Sequence, residues 1–311
     1  MIIGFIGLGK MGLGMANRLV AAGHEVHGYA PSESTRKSAS ENGITTHDSA
    51  TQMVESLGDK PIVWMMIPAQ YVREQFTQLL EDMPPQSILV DGGNSRFEQS
   101  VELAKTAQEK QVNFIDVGVS GGVGGEKQGY CMMAGGDPEA FSHIEPAIID
   151  MSQEGGYGLV GPSGAGHFVK MAHNAIEYGM MEAYAEGYEL IKQGPFTDID
   201  SGKLARLWQN GSIVQSYLNG LAAEVLTANP ELDGVEGQVN MLGEAQWASE
   251  YAAEKGIEFA TINHSIEKRA ASQSGKTSYG TKFLAALRHA FGGHDLNKTS
   301  SDQESGSTRN A

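Results

Sequence analysis

The sequence predicts an α/β doubly wound sheet followed by an all-α C-terminal domain, and three observations predict it. A short apolar run, Met1 to Ile6, passes directly into Gly7-Leu8-Gly9-Lys10-Met11-Gly12. Apolar runs then alternate with helical segments as far as Ala134, the pattern of a parallel sheet whose ligands sit beyond the carboxyl ends of its strands. After Gly166 the strand signals stop and helical periodicity takes over. At 311 residues the chain is long enough for two cores. The expected division is 1–163, 164–299 and a polar, disordered tail at 300–311.

In the opening segment the glycines have distinct roles. Gly7 permits a tight turn, Gly9 lets backbone approach a pyrophosphate, and Gly12 allows close helix packing, while the helix from Met11 to Ala22 offers its N-terminal amides to the phosphates. With Leu8, Lys10 and Met11 they make a Rossmann-type dinucleotide site. A second strand, Glu25 to Tyr29, ends where an acidic residue would bind the ribose diol of NAD, but the chain continues Ala30-Pro31-Ser32-Glu33-Ser34-Thr35-Arg36-Lys37. Ser32 and Arg36 suit a 2′-phosphate, which favours NADP; Glu33 would repel it and leaves NAD open. Arg36 and Lys37 are equally compatible with solvated helix positions.

Strands follow at Ile62 to Ile67, Ile88 to Asp91, Val112 to Val119 and Tyr130 to Ala134. Two of them end unusually, in Asp91-Gly92-Gly93-Asn94-Ser95 and in Ser120-Gly121-Gly122-Val123-Gly124-Gly125. The glycines let backbone amides approach a ligand, and Asn94 and Ser120 are polar groups with nothing local to cap. Either alone is an ordinary βα turn; together, on the cofactor side, they mark a candidate site. Cys131 lies in an apolar strand with no His or Cys at ligand spacing, so a buried small hydrophobe is expected there and no metal site.

Composition excludes several functions. Lys and Arg number 22 against 38 Asp and Glu, a net charge of −16 that repels nucleic acid. The single cysteine excludes an intramolecular disulfide, no charged and apolar leader opens the chain, and no apolar run approaches the ~20 residues that cross a bilayer. A cytoplasmic protein without a membrane partner is expected.

The C-terminal part divides into helices at His167 to Gln193, Ser201 to Asn210, Ile213 to Ala228, Ala245 to Lys255, Ala260 to Ser272 and Tyr279 to Phe291, punctuated by Gly194-Pro195, Asn229-Pro230 and Gly292-Gly293. In the first of these, Lys170, His173, Asn174, Glu177 and Tyr178 share one face. Met171, Ala172, Ala175, Ile176 and Gly179 take the other. A solvated helix face usually carries Glu, Lys and Gln in exchangeable pairs. A base, an acid, an imidazole, an amide and a phenol on one arc instead suit proton transfer and substrate alignment.

Gly164 to Gly179, the Asp91 to Ser95 turn, the Val117-Gly118-Val119-Ser120-Gly121-Gly122 loop and Leu287-Arg288-His289-Ala290-Phe291-Gly292-Gly293-His294 together resemble the decarboxylating 6-phosphogluconate dehydrogenases in their short form. The resemblance spans nearly the whole chain. It implies an NAD(P)-dependent enzyme of the pentose phosphate pathway or gluconate utilisation, in which Lys170 removes the 3-hydroxyl proton and then polarises the ketone during loss of CO₂. Glu177 would protonate the enediol to give ribulose 5-phosphate. Asn94, which also meets the cofactor, would hold the sugar acid with Ser120, Gly121, Gly122, His173 and Asn174. Tyr178 and Arg269 would meet the phosphate, with Arg288 and His294 supplied by the neighbouring chain of a homodimer or dimer of dimers. A lysine serves as base at neutral pH only when desolvation or a nearby cation lowers its pKa, as a closed cleft between two domains does. Gln246 departs from the pattern, which usually has a basic residue before Trp247. The alternatives are a 3-hydroxyacid dehydrogenase acting without decarboxylation and a nucleotide-binding regulator that has lost turnover.

Overall fold

The computed structural model describes residues 1–241 and 243–293. The first part of the chain alternates strand and helix: β1 (Ile2–Ile6), α1 (Lys10–Ala21), β2 (Glu25–Tyr29), α2 (Glu33–Glu41), β3 (Thr45–Thr46), α3 (Ala50–Glu55), β4 (Ile62–Met65), α4 (Ala69–Asp82), β5 (Ile88–Asp91), α5 (Phe97–Glu109) and β6 (Asn113–Ser120). After a 3₁₀ turn (Gly122–Gly124) come α6 (Gly125–Gln128), β7 (Tyr130–Gly135), α7 (Pro138–Met151) and β8 (Ser152–Gly161). Among the described residues these strands form one sheet in the order β3-β2-β1-β4-β5-β6-β7-β8, parallel except for the β6–β7 pair. The order reverses between β1 and β4, the crevice where doubly wound sheets bind ligands.

Burial follows from that topology. Every residue of β4 and β5 is buried, because helices cover both faces of a parallel sheet and leave central strands no solvated side. Phe5, Trp64 and Val90 point into one core with α1 and α7. Val63, Met65 and Leu89 point into the other with α3, α4 and α5. The chain divides into two compact units, Met1–Ala172 and a second that begins at His173. The division falls inside the long helix α8 (Ala165–Gln193).

The second unit continues with α9 (Ser201–Trp208), α10 (Tyr217–Ala228), α11 (Glu244–Glu254), α12 (Ala260–Gln273) and α13 (Tyr279–Gly292). Its core gathers Met181 and Tyr188 from α8, Leu226 from α10 and Phe283 and Leu287 from α13. No helix among the described residues is long and apolar enough to cross a membrane.

Three expectations are corrected. The sheet does not end at Ala134: β8, with four glycines in ten residues, pairs parallel to β7. Glycine lowers strand propensity, so this strand rests on backbone pairing rather than on side chains. The helix expected from Ile213 starts at Tyr217, since the Ser216 side chain accepts from the Asn219 backbone amide and fixes the N-cap there. Cys131 is exposed; β7 turns Tyr130 and Met132 into the core, and alternation sends the thiol out. The tail at 300–311 lies outside the described residues.

Phe283 is 0% exposed and packs its ring 5.0 Å from that of Tyr188. Phe283→Ala is expected to cost about 3–5 kcal/mol of unfolding free energy, read from urea titration. A loss below about 1 kcal/mol would mean this core is loosely packed.

Candidate active site

The glycine loop lies at the carboxyl end of β1, and its three glycines meet different surroundings. Gly7 has φ +92°, and a Cβ there would sit 2.3 Å from the Met66 carbonyl oxygen. At Gly12 a Cβ would sit 1.9 Å from the Gly7 carbonyl oxygen. A Cβ on Gly9 would meet no described atom within 4 Å. Gly7 and Gly12 are therefore required by packing, whereas Gly9 keeps open the space that a diphosphate needs. Gly9 is also the N-cap of α1, and among the described residues no side chain caps that end; the helix dipole is left for an anion. Leu8 is buried in the core, so only its backbone remains for a ligand, while Lys10 is exposed and Met11 half-buried. These residues fit a nicotinamide dinucleotide.

Ser32 and Arg36 shape the turn after β2. Ser32 is the N-cap of α2, accepting from the Thr35 amide. Arg36 donates to the Ala30 and Pro31 carbonyls at 2.7 and 3.0 Å and pairs with Asp48 at 3.4 Å. Its guanidinium thus braces the turn rather than standing in solvent.

At the end of β5, Asp91 is buried and accepts from the Gly93 amide and the Ser95 hydroxyl at 2.9 and 2.7 Å. This closes the turn that presents Asn94 at φ 54°. The Asn94 side chain accepts from the Val119 amide at 2.9 Å and donates to its carbonyl at 3.3 Å. With nothing local to cap, Asn94 instead caps β6, 25 residues along the chain. Ser120 ends β6, and Gly121 and Gly122, at φ 121° and 55°, turn the backbone beside it.

The start of α8 lies against β6. A Cβ on Gly118 would be 2.3 Å from Lys170 Cβ, and one on Gly166 would be 2.5 Å from the Asp116 carbonyl oxygen. Asp116 accepts from the Gly164 and His167 backbone amides. Lys170 is 5% exposed.

Further along α8, in the second unit, His173 shares a 3.0 Å hydrogen bond between Nδ1 and Asn174 Oδ1, and the same nitrogen lies 4.0 Å from Glu177 Oε2. Tyr178 is buried, and the Arg269 guanidinium stacks 3.3 Å from its ring centroid. Arg269 is 1% exposed, and its Nε and Nη1 have no hydrogen-bond partner among the described residues. Burial pushes its pKa down to about 10; Tyr178 opposes the shift and the nearby Arg288 adds to it. Arg288 is also held below its ordinary value by burial, with Tyr178 and Glu177 acting the other way.

Arg288 lies near Arg269 and Tyr178 of its own chain. The physical reason is α13, whose Phe283, Leu284 and Leu287 enter the core of the same unit and carry Arg288 in with them. His294 lies outside the described residues. Gln246 is exposed on α11. Ile176, expected on the apolar face, is 62% exposed. Two buried acids were missed from the sequence: Asp116, and Glu182, whose carboxyl burial pushes up and whose Oε2 has no partner among the described residues. Among the described residues no group of three or more His, Cys, Asp or Glu is placed to hold a metal ion.

Residues 2–161 match the family described as the NAD binding domain of 6-phosphogluconate dehydrogenase, and residues 166–304 match the C-terminal domain of the same enzyme. The chain is 34% identical over 298 residues to YqeC of Bacillus subtilis, covering 96% of this chain and 100% of that protein, whose name assigns it the same activity only provisionally. It is 34% identical over 303 residues to the NAD(+)-dependent, decarboxylating 6-phosphogluconate dehydrogenase of Haloferax volcanii, covering 95% and 98%. Among solved structures, the Plasmodium falciparum 6-phosphogluconate dehydrogenase aligns with a TM-score of 0.78 at 26% identity, over 92% of this chain and 70% of that one. The Mycobacterium tuberculosis 3-hydroxyisobutyrate dehydrogenase shares the fold, with a TM-score of 0.72 at 23% identity over 91% and 97%.

Because space is open at Gly9, Gly9→Ala should leave the unfolding midpoint nearly unchanged and raise the cofactor Kd about tenfold or more, a loss of roughly 1.4 kcal/mol. Isothermal titration checks it. Unchanged cofactor affinity would place the diphosphate elsewhere.

Proposed function

Since the chain belongs to the 6-phosphogluconate dehydrogenase family and is an NAD(P)-dependent oxidoreductase, we propose that it oxidises 6-phospho-D-gluconate and removes its carboxyl group as CO₂, releasing D-ribulose 5-phosphate. The observation that carries the reading is Arg269. A buried guanidinium with two nitrogens lacking partners among the described residues, close to a second buried arginine, is costly without a counterion. The phosphate of the substrate supplies that counterion, and arginine matches its geometry. Glu177 and Glu182 act on Arg269 only as nearby charges, and a 3-hydroxyacid without a phosphate would bring no acceptor to its two open nitrogens, which favours the sugar phosphate over the alternative.

Lys170 takes the proton of the 3-hydroxyl. A nicotinamide held by the glycine loop would supply the acceptor for the hydride that leaves C3. The protonated Lys170 then hydrogen-bonds the new ketone, so that the electrons of the breaking C1–C2 bond pass into a polarised carbonyl as CO₂ departs. Glu177, seven residues on and so on the same helical face, donates a proton to the resulting enediol. Asn174 and His173 on that face, with Asn94, Ser120 and the Gly121-Gly122 backbone, orient the sugar acid. Gly7, Leu8, Gly9, Lys10, Met11 and Gly12 hold the cofactor's diphosphate, and Ser32 and Arg36 flank its adenosine ribose. We read the assembly as a cytoplasmic homodimer, or a dimer of dimers, with His294 contributed across the interface. Ile176 and Met180, exposed and four residues apart on α8, support apolar surface that a second copy would cover.

With 6-phosphogluconate and either nicotinamide cofactor, reduced cofactor and CO₂ should appear in equal amounts, and faster than any oxidation of 3-hydroxyisobutyrate. Cofactor reduction without CO₂ would refute the decarboxylation. Lys170→Met keeps helix propensity but removes the base, so kcat should fall by about 10² or more while cofactor Kd is retained. Near-normal turnover would assign the base to another residue.

A further inference from the structure

We propose that Asp116 is a positioning residue that fixes the first turn of α8 against the sheet and thereby places the Lys170 amine. The inference rests on Lys170 being the base. Asp116 is 0% exposed and lies on β6, in register with the equally buried Asp91 of β5. Each of the two carboxyls closes one element that carries a candidate substrate ligand. Asp91 closes the turn that presents Asn94, as described above. Asp116 closes the start of α8: its Oδ1 accepts from the Gly164 amide at 2.5 Å and its Oδ2 from the His167 amide at 2.8 Å.

Stability alone does not account for a carboxyl at this point. Burial raises the pKa of Asp116, and Asp91 raises it further; only His167 and the two backbone amides act the other way. A well-packed apolar group often serves stability as well as a buried charge does. A carboxylate adds direction, because two charge-assisted bonds to backbone amides at a helix N-terminus leave that terminus one position. The surroundings tighten it. His167 is tied to Ser100 by a 2.8 Å hydrogen bond between Nδ1 and the hydroxyl. Gly118 and Gly166 bring the two backbones together without room for a methyl group. Lys170 follows His167 by three residues, so slippage of the first turn displaces the amine directly. A displacement of about 1 Å can cost 10²-fold in rate.

Asp116→Asn preserves shape but leaves one of the two amides facing an NH₂ group. We expect kcat per folded enzyme to fall about 10- to 100-fold, with cofactor Kd within about twofold of wild type, and faster hydrogen exchange at the amides of residues 165–172. A lowered unfolding midpoint with unchanged kcat would show a merely structural role and overturn the proposal. If that variant does not fold, Ser100→Ala decides: it removes the hydroxyl that holds His167 and that also reaches the Arg96 carbonyl at 3.4 Å, and should lower kcat in the same direction by a few-fold; an unchanged kcat there overturns the proposal equally. Should Lys170→Met retain turnover, the assignment of the base fails instead, which the exchange rates of α8 in Asp116→Asn distinguish from failure of the anchor.

Discussion

Strand β6 and the first turns of α8 approach more closely than side chains permit, and the candidate site depends on that approach. Gly118 lies under Lys170 and Gly166 lies over the backbone of Asp116 and Met133. Neither position accepts even a methyl group without a shift of backbone or of Lys170 itself. The contact sets Lys170 beside the strand that ends in Ser120 and receives the Asn94 cap. From there α8 runs unbroken for 29 residues, so the same helix that is fixed at the sheet carries His173, Asn174, Glu177 and Tyr178 into the second unit.

Electrostatics work at two ranges. The net charge of −16 repels an anionic substrate at long range, yet at physiological salt that field decays within about 8 Å. On the proposed reading, binding falls to Arg269 and Arg288, which are buried and so little screened by water. Stacking on Tyr178 gives the Arg269 plane a fixed face, and two of its nitrogens remain for an acceptor. In the first unit Gly9 and the start of α1, which no side chain caps among the described residues, offer another anion position, made of backbone rather than side chains. On the proposed reading, one chain provides for a diphosphate and a phosphomonoester by different physical means.

What was legible in the sequence was local. The glycine loop is defined by spacing within six residues, and the face of α8 by offsets of three and four, so both were read directly and both lie where expected on a helix or at a strand end. Features whose meaning comes from distant partners were not legible. Asp116 looked like one polar residue in a strand, because the amides it accepts lie 48 and 51 residues away. The cap that Asn94 makes was not legible because its partner is 25 residues away. β8 is rich in glycine and owes its strand form to β7. The exposure of Ile176 and of Cys131 could not be read from composition, since each depends on which neighbours cover that face. Glu182 resembles any helical glutamate until the packing around it is seen.

On the proposed mechanism one helix delivers base and acid to the same substrate, and decarboxylation in D₂O tests this most directly. A fixed acid at Glu177 reaches one face of the enediol, so the ribulose 5-phosphate formed should carry one deuterium at C1 in a single configuration, read by proton NMR after stereospecific conversion. Deuterium distributed over both C1 positions, or CO₂ release with protonation by unoriented solvent, would contradict the account.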